Sequence, residues 1–204
     1  MATLRAEVLW QMNIVVSNVK GGVGKTTTAV YLAGAAAERG RAPVYLIDAD
    51  RQASSAEWFE TMPIPGVELV EAPSERTVAK AMERGDGIVV VDTPPGDERI
   101  VRAALARADA LVIPTRAGGV EPNRVVATLE MTPSNIPAGV VICSARLGTR
   151  DLEATITWWA DLEVPVWGII PERVSIASGP ASVLSLEGLD LYGGVLRKAM
   201  GRRR

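Results

Sequence analysis

Residues 18–27 read NVKGGVGKTT, a stretch that leaves the surrounding chain little freedom. Gly21, Gly22 and Gly24 allow backbone N–H groups to converge on one anion with no Cβ in the way. Such a loop needs a strand to deliver the chain and a helix to carry it away, because the helix N-terminus adds its own N–H groups and positive dipole end. The flanking sequence meets both demands. MNIVVS (12–17) is an apolar, β-branched run, and beyond Lys25 the residues Ala29, Val30, Leu32, Ala33, Ala36 and Ala37 recur at helical spacing on a narrow face until Gly40. Lys25 is placed to neutralise the β- and γ-phosphates of a nucleotide, and the Thr26 hydroxyl to ligate Mg²⁺. Val23 and Thr27 complete the loop.

Further apolar runs follow at regular intervals: 43–48, 67–71, 87–92, 109–114, 138–143 and 164–169. Several are continuous Val/Ile/Leu stretches, as parallel strands covered on both faces require. Segments of helical length lie between them, near 25–39, 53–61, 75–84, 97–107, 121–131, 150–162 and 188–200. This alternation predicts an α/β fold: one doubly wound, mostly parallel sheet with helices on both faces. No linker or repeat divides residues 1–204, so a single domain is expected. Ligands of such folds sit at the carboxyl ends of the strands.

Two acidic motifs fall at those ends. VYLIDAD (44–50) places Asp48 and Asp50 two residues apart, on one side of an extended chain. One of these carboxylates can join the Mg²⁺ sphere while the other orients or activates an attacking water. IVVVDTPPG (88–96) ends a strand on Asp92, beside or directly on the metal, and continues into a stiff turn whose Gly96 N–H can sense a γ-phosphate.

KGGVGKTT, DAD and DTPPG together resemble the deviant-Walker ATPases of the ParA/MinD family, motif by motif from about residue 12 to about 115 and by strand order to about 187. The resemblance implies a phosphate-loop fold and an ATP- and Mg²⁺-dependent ATPase that closes into a sandwich homodimer. It implies that Lys20 crosses to the partner's phosphates, that Lys25 serves its own subunit and that Asp50 orients water. Asp48 and Asp92 then join Thr26 around the metal. The stretch 168–179 resembles the loop that packs on adenine, with Pro171 and Arg173 as candidates. The family usually has Pro after the second aspartate. Here Arg51 stands in that place, either contacting phosphate or simply exposed, while Gln52 is kept.

Composition narrows the role further. The chain has no histidine and one cysteine, Cys143, inside the strand-like run VVICSA, where burial is expected. Disulfide and histidine chemistry within one chain are thereby excluded, and the relatives that deliver metal through cysteines are disfavoured. No apolar run reaches membrane-spanning length, and the N-terminus is too short and too charged for a secretory signal, so a cytoplasmic protein is expected. With only a dozen residues before the first strand, no N-terminal helix-turn-helix domain is expected. Net charge is −2, yet the last eight residues, RKAMGRRR, carry five positive charges and no acid. Arg197, Lys198, Arg202, Arg203 and Arg204 thus form a basic tail (197–204) suited to non-specific DNA phosphate. By the resemblance, a nucleoid-associated partition or cargo-positioning ATPase stimulated by a ParB-like or cargo-bound adaptor is expected. The alternative is a MinD-like membrane-associated ATPase, with Leu191, Val195, Leu196 and Met200 inserting. Adjacent Trp158 and Trp159 point about 100° apart, so one of them is either an exposed contact or buried at an edge.

Overall fold

The computed structural model describes residues 10–40, 42–52, 54–118, 122–173 and 188–201. Strands and helices alternate: β1 (Gln11–Val16), α1 (Lys25–Glu38), β2 (Val44–Asp48), α2 (Ser54–Thr61), β3 (Val67–Glu71), α3 (Glu75–Ala81), β4 (Gly87–Asp92), α4 (Glu98–Leu105), β5 (Ala110–Arg116), α5 (Pro122–Glu130), β6 (Ala138–Ala145), α6 (Arg150–Asp161), β7 (Val166–Pro171) and α7 (Leu189–Ala199). The strands form one seven-stranded sheet in the order β3-β2-β4-β1-β5-β6-β7, with parallel pairing throughout. β1 lies between β4 and β5, where successive connections leave in opposite directions, and the glycine loop follows it there.

The two-residue period of the strands divides the core. Met12, Ile14 and Val16 of β1 point into a cluster with α1, Trp58 of α2 and α7. Val15 points the other way, into a cluster with Val78, Met82, Ile100, Leu105, Val125, Leu152 and Trp159 from α3 to α6. Helices therefore cover both faces. Trp159 is fully buried, and partly buried Trp158 meets it edge to face with ring centroids 4.5 Å apart. Edge burial is what the pair adopts.

The narrow apolar face anticipated for α1 is corrected by the structure. Thr28–Ala36 are buried on every side of the helix, because α1 is enclosed by the sheet, α2 and α7. Tyr31 reaches Tyr192 of α7 (centroids 4.8 Å) and Trp58 of α2 (6.4 Å). Tyr192, Val195, Leu196 and Ala199 of α7 are buried in the same cluster, and Leu191 and Met200 pack against it. The apolar residues that a membrane anchor would use are thus part of the core. β7 begins two residues later than its apolar run suggests. Val164 N–H still bonds Trp159 carbonyl at the end of α6, with Glu163 at φ 56°, and pairing starts after Pro165.

β6 and β7 approach closely where Gly139 faces Trp167. A Cβ on Gly139 would overlap the indole ring, which is itself buried. Gly139→Ala is expected to destabilise the chain by about 1–3 kcal/mol, read as a lower urea midpoint with unchanged slope.

Candidate functional site

The loop 18–24 is fixed at its base before it reaches the ligand side. Asn18, buried at the end of β1, donates its side-chain N–H to Pro114 carbonyl on β5 (2.8 Å) and accepts Lys20 N–H (3.0 Å). Gly22 and Gly24 have φ of 71° and 99°, a region that side-chain-bearing residues avoid. Gly24 serves as N-cap of α1 with no side-chain partner. A Cβ there would lie 3.4 Å from Cys143 Sγ. The N-terminus of α1 therefore faces a cleft of about 470 Å³, lined by Gly21–Thr27 together with Asp50, Gln52, Trp58, Pro95, Arg116, Cys143, Ser144, Ile170 and Tyr192. That volume is within the range of small-ligand sites, roughly 300–1,000 Å³.

The two lysines of the loop are divided by the fold. Lys25 is buried and lines the cleft, its ammonium donating to Lys20 carbonyl (2.8 Å). Burial lowers its pKa, opposed by the nearby Asp92 and Asp50 carboxylates. The Lys20 side chain is exposed and lies outside the cleft lining.

β2 and β4 end in register, so Asp48 and Asp92 are cross-strand neighbours and both are buried. Asp48 holds local structure. One oxygen accepts Asp50 N–H (3.0 Å) and the other accepts Ser55 and Ala56 N–H (2.9 and 3.1 Å), fixing the turn and the start of α2. Burial raises its pKa, and these N–H donors pull it back. Asp50, half-buried, faces the cleft and accepts Gln52 N–H (3.0 Å).

Asp92 is different. Its Oδ2 accepts Ser55 Oγ–H (2.9 Å), the Thr26 hydroxyl lies close enough to favour the ionised carboxylate, and buried Oδ1 has no partner among the described residues. Burial pushes its pKa up to about 7, against the pull of Thr26, Ser55 and Lys25. A buried carboxylate oxygen without a donor, next to a hydroxyl and under the phosphate loop, fits a hard cation such as Mg²⁺. That ion binds through one or two protein oxygens plus phosphate. Among the described residues no cluster of three or more acids or cysteines could hold a metal alone.

Arg51 is exposed, and its Nε–H reaches Pro73 carbonyl (3.4 Å). Pro171 ends β7 and Arg173 is exposed. Neither lines the cleft, whereas Ile170 does; the rest of the proposed adenine loop, 174–179, lies outside the described residues. Arg197 and Lys198 are exposed at the end of α7, with Lys198 Nζ donating to Val166 carbonyl (3.2 Å). Arg202, Arg203 and Arg204 lie outside the described residues. Sequence reading missed Trp58, Arg116, Ser144 and Tyr192 as cleft residues and took Cys143 as simple core. Arg116 was findable, since it closes a strand at the carboxyl edge. Ser144 was not: it sits at φ 50° in a register shift between β6 and β7.

A parallel α/β sheet with a glycine loop entering its central helix defines a phosphate-loop nucleotide-binding protein. The chain belongs to the CobQ/CobB/MinD/ParA nucleotide binding domain family, which matches residues 14–186. It is similar to the Maintenance of carboxysome distribution protein A of Gloeobacter kilaueensis, 45% identical over 105 residues that cover 50% of this chain and 48% of the other. It is also similar to Protein ParA of Rhizobium radiobacter, 30% identical over 122 residues covering 58% and 54%. The chain thus spans about half the length of these two relatives. An ATP complex of a McdA variant from Cyanothece shares the fold, with a TM-score of 0.71, 19% identity and coverage of 97% of this chain and 98% of that one. No described helix is long and apolar enough to cross a membrane.

The Asp92 environment predicts a pH dependence. In the metal-free folded chain Asp92 keeps its proton up to about pH 7, whereas unfolded it titrates near 3.8. Between those values the folded state holds the extra proton, so stability falls as pH rises through this window and levels off above it. Urea unfolding in EDTA is expected to give a lower midpoint at pH 8 than at pH 5. Asp92→Asn should remove this carboxyl's share, on the order of a few kcal/mol.

Proposed function

We propose that the chain is a ParA-like partition or positioning ATPase, hydrolysing Mg²⁺-ATP as a sandwich dimer that adheres to DNA until a partner protein stimulates hydrolysis. The observation that carries this reading is the division of labour between the lysines. Lys25 lines the cleft, where its own subunit's phosphates would sit, while Lys20, on the same loop, is exposed and is not part of the cleft lining. A second cation supplied across a dimer interface resembles an arginine finger, because phosphoryl transfer depends on positioning and charge neutralisation.

In this reading the N–H groups of Gly21–Thr27 bind the phosphates, with Lys25 among them. Thr26 and Asp92 would hold Mg²⁺, and Asp48 supports them by fixing the turn that carries Asp50. When bound, Mg²⁺ would neutralise phosphate charge. Asp50 orients the attacking water from the cleft wall. Adenine lies toward Ile170, with Pro171 and Arg173 at the outer edge. Arg197 and Lys198, continued by Arg202–Arg204 and doubled by dimerisation, meet the DNA backbone without base readout. The relatives named Protein ParA and Maintenance of carboxysome distribution protein A support this class of role.

Lys25→Ala should abolish binding of a fluorescent ATP analogue. Lys20→Ala should keep that binding within about threefold yet lose ATP-dependent dimerisation in light scattering and at least ~10³-fold of stimulated hydrolysis. A Lys20→Ala protein that dimerises and hydrolyses like the parent would remove the trans-lysine from the mechanism. Replacing exposed Arg197 and Lys198 by Ala and deleting residues 202–204 is expected to abolish ATP-dependent retention on DNA and to leave nucleotide binding intact; unchanged retention would move the DNA surface elsewhere.

A further inference from the structure

A second concavity, about 800 Å³, lies between α3 and α4 and is lined by residues the nucleotide cleft does not use. Its walls carry five guanidinium groups, from Arg51, Arg76, Arg99, Arg102 and Arg107, against two carboxylates, Glu75 and Asp97. All five arginines are exposed. The pairs they make are surface ones: Arg99 with Asp97 (3.9 Å), Arg102 with Glu98 (3.4 Å) and Arg107 with Glu83 (3.2 Å). Exposed pairs of this kind are worth little and exchange readily for a better anion. The lining also includes Ala79, Ile100, Ala103 and Ala106, which give the groove a small-residue apolar component between its charges.

We propose that this groove docks an acidic, partly apolar peptide segment of a partner protein. Charge complementarity selects an anionic occupant, and arginine forks suit carboxylates geometrically. A concave channel between two helices with apolar lining admits a peptide chain better than a duplex, whose phosphates meet broad polar surfaces. The groove is also joined to the nucleotide cleft through both acidic segments. Arg51 follows Asp50 directly, and its Nε–H holds Pro73 carbonyl ahead of α3. Asp97 caps α4 through Arg99 and Ile100 N–H (3.2 and 3.4 Å), two residues after Pro95, which lines the nucleotide cleft. An occupant that draws on Arg51 and Arg99 pulls on the two turns that border the phosphates. Arg51 then has a role where the family usually places Pro.

The docking part stands apart from the proposed ATPase cycle; the coupling part rests on it. A fluorescein-labelled peptide of repeated Leu, Glu and Asp is titrated in anisotropy into the chain and into an Arg76→Glu/Arg102→Glu variant. Circular dichroism and binding of a fluorescent ATP analogue are checked in both, and a short DNA duplex is used as competitor. Saturable, salt-sensitive peptide binding that weakens at least ~10-fold in the variant, with ATP-analogue binding unchanged, supports the groove. Loss of ATP-analogue binding in the parent chain overturns the nucleotide reading and leaves the docking result standing. Absence of peptide binding, or equal binding by both proteins, overturns the proposal. Loss of DNA retention in the variant with peptide binding unaffected overturns it in favour of a nucleic-acid surface.

Discussion

Three ionisable side chains are buried at the carboxyl edge of the sheet, and the site is organised around keeping them satisfied. Lys25, Asp48 and Asp92 lie within one neighbourhood. A buried ion without partners is far more costly than a pair. Asp48 is satisfied by backbone N–H groups from Asp50, Ser55 and Ala56. Asp92 draws on Ser55, and Lys25 on a loop carbonyl. Each solution requires a particular backbone path. The turn after β2 and the curl of the glycine loop are therefore consequences of burying these groups as much as of sequence-local preference.

Asp48 and Asp92 illustrate how one residue type can serve two ends within a single pair of strands. Their positions in register are equivalent. The difference lies in which donors surround them: N–H groups reach both oxygens of Asp48, while Asp92 keeps one oxygen without a donor among the described residues. A reading of spacing alone treats both as metal acids. Geometry ties one to the backbone of the segment bearing Asp50 and leaves the other with an oxygen that no described donor reaches.

The parts legible in the sequence are those with local causes. The strands, the helices between them and the loop residues follow from β-branched runs and glycine placement, and burial of Cys143 follows from its strand context. What escaped depends on partners far along the chain. The surroundings of α1 are completed by Tyr192, Val195 and Leu196 of α7, more than 150 residues downstream, so no periodicity within α1 could reveal its all-round burial. Trp58 and Tyr192 reach the cleft for the same reason. The left-handed Ser144 arises where β6 and β7 fall out of step, a property of two strands at once.

The all-round enclosure of α1 has a thermodynamic corollary. A helix gripped on every side cannot tilt without breaking core contacts, so the loop at its head acts as a rigid abutment. Adjustments to a ligand fall instead on the short turns after β2 and β4, whose residues Arg51, Gln52, Pro95 and Gly96 are already exposed. Little apolar surface changes hands in such adjustments. Filling this cleft therefore carries a small heat-capacity change, and a large negative one would register apolar surface buried outside the cleft.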